Sequence, residues 1–281
     1  MRVPTKTYLS FALVITLVCL PATARKRSVS LLHTSDTHSC IMPLSPSLTD
    51  TMAAGRGGFV RRAAMVERER AENPDMLLFD CGDFSQGSPY YNIYKGDVEV
   101  GLMNIMGYDA ATIGNHEFDY GIENMARIFQ MAQFPIVCAN YDFTGTPVEG
   151  LVKPYIIIER GGLRIGVFGI SPRLEGLVME ASCKGVTFID PVAAANDVIS
   201  RMKAAGCDII ICLSHLGWKI GGIDDEELIA NTSGIDIVLG GHSHTYMQQM
   251  EYVNDASGHP VPVDHNGKNG IFVGKIVIKC E

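Results

Sequence analysis

The chain has 281 residues, 47% of them hydrophobic and 8% aromatic, with a formal net charge of −8 at pH 7. That length suits one large domain or two small ones, and the composition is that of an ordinary globular α/β protein. An acidic chain without a Lys/Arg-rich tract excludes a nucleic-acid-coating role; an anionic substrate requires that bound cations dominate the local field.

At the N-terminus, Arg2 and Lys6 precede an apolar run from Tyr8 to Leu20, too short to span a bilayer comfortably. Ala22 and Ala24 then supply small residues at the offsets needed for cleavage after Ala24. Residues 1–24 therefore read as a secretory signal peptide, with an exported, periplasmic or secreted product and no stable membrane span. Cys19 lacks the small preceding residues that a lipid-anchor site prefers. The remaining cysteines contain no CxxC pair, and Cys81, Cys138 and Cys212 lie in apolar runs as small buried hydrophobes.

Beyond the leader, short apolar runs alternate with amphipathic stretches. Strands are predicted at 29–35, 75–83, 109–116 and 134–140, with helices at 57–72, 96–107 and 121–133 between them. These are successive βαβ units, the pattern of a mainly parallel sheet covered by helices. After a loop at 141–153, residues 154–171 read as a hairpin around Gly161-Gly162. Residues 190–206 read as a helix with Asp190 at the N-cap, Pro191 at N1 and Gly206 closing it. Strands at 207–215 and 234–244 follow, joined by a helix near 225–231, and the tail from Tyr246 reads as antiparallel strands. Without a linker, repeat or low-complexity tract, the chain after the leader is read as one domain, 28–281.

Five of these strands end in metal-capable residues: Asp36 and His38, Asp83, Asn115 and His116, His215, and His242 and His244. In open α/β sheets the carboxyl ends of strands converge on one edge, where ligands bind. Setting His116 aside, three histidine positions beyond the first strand, His38, two aspartates and one asparagine form a mixed nitrogen/oxygen set. Such a set suits zinc, manganese or iron better than calcium. Seven candidate ligands exceed the needs of a four-coordinate ion and suit two ions about 3.5–4 Å apart sharing a carboxylate. The Asp36/His38 and His242/His244 pairs are expected on one side of an extended chain. His33 reads as a packed strand histidine, and His259 and His265 as loop histidines. Gln86 is a candidate to orient Asp83 or its neighbours, with a turn role equally open, and Trp218 reads as core or rim packing.

The order D-x-H, GD, GNHE, H, GHSH resembles the calcineurin-like metallophosphoesterase superfamily. "LLHTSDTH", "GRGGFVRRAAMV", "GDFSQGSP" and "GNHEFDYG" resemble, more narrowly, the catalytic domain of bacterial 5′-nucleotidases. The resemblance runs from about Leu31 to the C-terminus and implies an α/β fold, a single-domain four-layer α/β/β/α sandwich. It implies that Asp36, His38 and His244 hold one divalent ion, that Asn115, His215 and His242 hold another, and that Asp83 bridges them. His116 becomes the catalytic histidine, oriented by Asp119, which also serves as a candidate cap for helix 121–133. Asn115 and His116 would touch the substrate. Some nucleotidase relatives carry an amide where this chain has His244. The implied reaction is hydrolysis of a small phosphate monoester, a nucleoside 5′-monophosphate foremost, by metal-activated water with general-acid help from His116. Alternatives are a phosphodiesterase or pyrophosphohydrolase acting on cyclic nucleotides or nucleotide sugars, and a non-catalytic metal-binding docking subunit. Nucleotidases of this type carry a C-terminal nucleotide-recognition domain that has no counterpart here, so a separate partner chain supplying it is one expectation.

Overall fold

In the computed structural model, which describes residues 27–280, strands and helices alternate as β1 (Arg27–Thr34), α1 (Phe59–Glu72), β2 (Leu77–Asp80), α2 (Pro89–Tyr94), α3 (Asp97–Met106), β3 (Ala110–Ala111), α4 (Gly121–Met131) and β4 (Ile136–Val137). The chain continues through β5 (Tyr141–Asp142), β6 (Val152–Lys153), β7 (Tyr155–Arg160), β8 (Leu163–Ile170), β9 (Thr187–Phe188), α5 (Pro191–Ala204) and β10 (Ile209–Ser214). It closes with α6 (Asp225–Ala230), β11 (Ile237–Gly240), β12 (Glu251–Asn254), β13 (Pro260–His265) and β14 (Gly274–Cys280). The segment read as a leader, 1–24, lies outside the described residues. Among those described, no helix is long and apolar enough to cross a membrane.

Two six-stranded sheets result, in the orders β14-β1-β2-β3-β4-β6 and β12-β13-β11-β10-β8-β7. Within the first, β1 to β4 run parallel; within the second, β8, β10, β11 and β13 do. Side-chain alternation along each strand builds the layers. Leu31, Leu77, Phe79, Ile209, Ile211 and Leu213 fill the space between the sheets. Their neighbours Leu32 and Leu78 face α1, α3 and α4 on one outer side, and Ile210 and Cys212 face α5 and α6 on the other. The architecture is therefore helix, sheet, sheet, helix. Burial on both faces explains why the central strands read as continuous apolar runs.

Local chemistry sets the helix ends. Asp190 accepts a bond from the Ala193 N–H at 2.9 Å ahead of Pro191, as the sequence predicts for α5. The pattern missed α2, which Ser88 caps by accepting from the N–H groups of Tyr90 and Tyr91 ahead of Pro89. Asp119 does not cap α4. Tyr120 holds that position without a side-chain bond, and Asp119 ends a single 3₁₀ turn, His116–Phe118.

The tail departs from expectation. Its first part joins the second sheet, where β13 runs parallel to β11 and antiparallel to β12. Its last part crosses to the first sheet and pairs antiparallel with β1 from Arg27↔Cys280 to His33↔Gly274. That crossing satisfies the backbone groups of β1 that would otherwise form a bare edge. His265, expected in a loop, is instead buried at the end of β13, 2.7 Å from Asp225, which also bonds the Ser214 hydroxyl.

Where β2 ends, Asp80 is buried. One of its oxygens accepts from Thr34 Oγ1 at 2.6 Å and the other from the Gly82 N–H at 3.0 Å. Burial pushes this carboxyl up to about 8, against the opposing effect of the Thr34 bond. The folded chain therefore keeps a proton that the unfolded chain gives up near the ordinary carboxylate value. Unfolding releases that proton, so this group's contribution makes stability fall as pH rises from about 4 to about 8. Asp80→Asn is expected to remove that decline. Urea midpoints of both proteins at about pH 5 and about pH 8 check it, and a pH-independent difference between them would contradict it.

Candidate active site

The parallel strands of both sheets point their carboxyl ends toward one edge, and the polar residues that follow them meet there. Asp36 and His38 follow β1, Asp83 follows β2 and Asn115 with His116 follows β3. From the second sheet, His215 follows β10, and His242 and His244 follow β11. Donor atoms of Asp36, His38 and His244 lie within 4.8 Å of one another, as do those of Asp83, His215 and His242 and those of His38, Asp83 and His116. Thus all the candidate histidines and aspartates of the first expectation gather in one place.

The backbone conformation differs from the extended pairs expected. Asp36, His38, Asp83, His242 and His244 all have positive φ, between 43° and 71°. Few non-glycine residues adopt this left-handed region, and such strain persists where surrounding structure holds it in place. Each of these donor pairs is thus aimed by a tight turn, not by strand alternation. Gly114 makes the approach of two turns feasible, because a Cβ there would overlap the Asp83 carboxylate.

Individual contacts define the donors' orientation. His38 Nε2 lies 2.9 Å from His244 Nε2, and Asp36 Oδ1 is 3.9 Å from the former and 3.6 Å from the latter. The backbone N–H of His242 donates to both oxygens of Asp36, at 3.0 and 3.1 Å. His215 Nδ1 donates to the Cys81 carbonyl at 2.6 Å, which turns Nε2 toward the cluster. That Nε2 is 3.0 Å from Asp83 Oδ2, yet without the alignment of a hydrogen bond. The other Asp83 oxygen accepts from the His116 backbone N–H at 2.9 Å. Nδ1 of the His116 ring sits 3.1 Å from both oxygens of Asp119.

Protonation follows burial and charge. Burial drives His38 and His242 down to about 4, with neighbouring histidines adding to the effect, so both imidazoles are neutral near pH 7. Burial and the nearby Lys268 ammonium also lower His244. Burial opposes the charged form of His215, but the negative charge of Asp83 raises it to about 10. Asp83, despite its own burial, is held below the usual carboxylate range by His215. Asp36 is pushed up to about 6 by burial.

Buried polar atoms normally have partners, yet Asn115 Oδ1, His38 Nδ1 and His215 Nε2 have none among the described residues. Imidazoles, two buried carboxylates and an amide oxygen without a partner, gathered at one edge, are the donor set of a divalent transition-metal site. These residues fit such ions.

A four-layer sandwich with this donor cluster at the shared strand edge defines a class of metal-dependent hydrolase. The profile of the calcineurin-like phosphoesterases matches residues 29–246, and the chain belongs to that family. It is 33% identical over 277 residues to bovine 5′-nucleotidase, an alignment covering 92% of this chain and 47% of that protein. The crystal structure of a 5′-nucleotidase precursor from Thermus thermophilus superposes with a TM-score of 0.83 at 30% identity, covering 90% of this chain and 52% of that one. A calcineurin-like phosphoesterase from Bacillus subtilis superposes with a TM-score of 0.75 at 30% identity, covering 91% and 86%. The chain spans about half the length of the nucleotidases it matches.

The sequence assigned no role to Glu117 and left Gln86 either to orient Asp83 or to form a turn. In the structure Glu117 is the residue bonded to the Asp83 backbone. Glu117 is fully buried, and its carboxylate accepts from the N–H groups of Gly114 at 2.6 Å, Asp83 at 3.0 Å and Ser85 at 3.1 Å. It therefore binds the turn carrying Asp83 to the turn carrying Asn115. Burial and the charge of Asp83 push Glu117 up to about 7, against His215 and the N–H groups, which favour the ionised form. The available signal was an acidic residue directly after Gly-Asn-His with no basic partner nearby in sequence. Glu117→Gln turns one acceptor into a donor facing N–H groups. It is expected to lower unfolding free energy by about 1–3 kcal/mol. Equilibrium urea unfolding checks this, and an unchanged midpoint would contradict it.

Proposed function

We propose that this chain hydrolyses phosphate monoesters, nucleoside 5′-monophosphates foremost, at a two-ion centre. The observation that carries the reading is the convergence of six histidine and aspartate donors from both sheets beside His116, a histidine engaged by its own aspartate and preceded in the chain by Asn115. In this reading Asp36, His38 and His244 hold one ion, Asn115, His215 and His242 hold the other, and Asp83 is shared. Zinc, manganese and iron all suit the nitrogen/oxygen set. When bound, such ions neutralise phosphoryl oxygens and lower the pKa of a coordinated water toward neutrality. The nucleotide preference is supported by the names borne by the bovine and Thermus relatives.

The chain's own residues supply the rest. His116 is half-exposed at the mouth of the cluster, and its Nδ1 is engaged by Asp119, which leaves Nε2 to face a substrate. Burial disfavours the imidazolium, but the bond from Asp119 and the charge of Asp83 outweigh it and raise the pKa above the ordinary histidine value. His116 therefore holds a proton at Nε2 for the departing alkoxide, a contribution of roughly 10²–10⁴-fold. Asn115 and the backbone around it position the phosphoryl group beside that proton.

Three measurements test this. Chelation is expected to abolish hydrolysis of adenosine 5′-monophosphate, with recovery on adding zinc, manganese or iron(II). His116→Asn is expected to lower kcat by about 10²–10⁴-fold while retaining bound metal. Asp83→Asn is expected to lose metal and activity together. Full activity in both variants would refute the assignment.

A further inference from the structure

A cavity of about 570 Å³ adjoins the donor cluster, a volume that accommodates a drug-sized organic molecule. His116 and His244 line it beside the donor cluster, and Ile41, Met42, Leu44 and Tyr90 supply apolar lining. The apolar lining comes from the loop after β1 and from the first turn of α2, neither of which contributes to the inter-sheet core. It leaves Met42 62% and Tyr90 36% exposed, apolar surface gathered at a concave site.

Two polar groups reach the same space. Gln86 lines it from a left-handed backbone with φ 72°, a conformation that costs energy for any residue with a Cβ. Lys268 lines it from the loop between β13 and β14, on the side of His244. The cavity is therefore lined by apolar groups, by the amide of Gln86 and by a cation next to His244.

Geometry ties this space to one part of a substrate. His116 borders both the donor cluster and the cavity. A phosphoryl group at the cluster must direct its ester oxygen toward His116, and the carbon skeleton beyond that oxygen enters the cavity. We propose that this cavity is a leaving-group subsite that selects phosphate esters of large, flat, partly polar alcohols, with Leu44 and Tyr90 packing against the ring system and Gln86 reading its polar edge. The inference rests on the phosphoesterase reading above and adds that selectivity for the alcohol resides in the loops around 41–44 and 86–90 of this domain.

Adenosine 5′-monophosphate and ribose 5-phosphate test it, because both release a primary sugar alkoxide and they differ in the attached base. With the metal-loaded full chain, kcat/KM for the nucleotide is expected to exceed that for ribose 5-phosphate by at least about tenfold, the scale on which apolar pockets discriminate. Leu44→Asp and Tyr90→Ser are each expected to cut that ratio by about tenfold, while Ile105→Ser, exposed on α3 away from the cavity, leaves it in place. A ratio near one in the unmodified chain, or a ratio unchanged in both loop variants, overturns the subsite while leaving phosphoester hydrolysis standing. If neither ester is hydrolysed, the phosphoesterase reading falls, and calorimetric binding of the same two compounds decides the subsite. Tighter nucleotide binding that Leu44→Asp and Tyr90→Ser both weaken supports it, and equal binding overturns it.

Discussion

The Asp83 carboxylate stands at the seam between the two sheets, and the geometry around it governs the whole edge. It follows a strand of the first sheet, yet one oxygen lies 3.0 Å from a histidine that follows a strand of the second. Its other oxygen receives the backbone N–H of His116, and its own N–H is fixed by Glu117. A buried carboxylate is costly unless it is paired or hydrogen-bonded, so this one constrains its surroundings in every direction. His215 must face it, Gly114 must lack a side chain beside it, and the loops after β2 and β3 must be locked together. The apolar layer between the sheets keeps that seam in register, because Leu77 and Phe79 of β2 pack against the same cluster as Ile211 and Leu213 of β10.

Strain collects where chemistry is proposed. Five donor residues occupy the left-handed region, and the turns that hold them are tied by bonds that leave little freedom to relax. Asp36 anchors the second sheet's donor turn through the His242 N–H, while the Ser243 hydroxyl bonds the Trp218 N–H behind it. Trp218 packs beside the buried His265, so the lone tryptophan supports the site from the core of the second half. The arrangement spreads the cost of strained turns over two well-packed sheets, which suits preorganised donors.

The sequence carried much of this arrangement because its signals are local. An apolar run followed by Asp, Asn or His is visible within ten residues, and parallel strands bring such ends together without further information. The chain order of the two sets of βαβ units likewise followed from periodicity. What escaped the reading depends on contacts between distant residues. His265 seemed a loop histidine because its partner Asp225 lies 40 positions away, on α6. The pairing of the last strand with β1 was not legible, because local pattern says nothing about which edge remains unpaired. The left-handed turns at Asp36 and His242 were read as extended chain, since nothing in Asp-Thr-His or His-Ser-His marks a positive φ. Glu117 was passed over for a related reason: its three partners are backbone N–H groups, which leave no trace in side-chain chemistry.

The proposed chemistry depends on whether the gathered donors form one ion site or two. Elemental analysis by inductively coupled plasma mass spectrometry, on protein saturated with metal and then dialysed, measures this directly. The proposed ligand sets, Asp36, His38 and His244 for one ion and Asn115, His215 and His242 for the other with Asp83 shared, predict two divalent ions per chain. A saturating value of one ion per chain, or none, would contradict it.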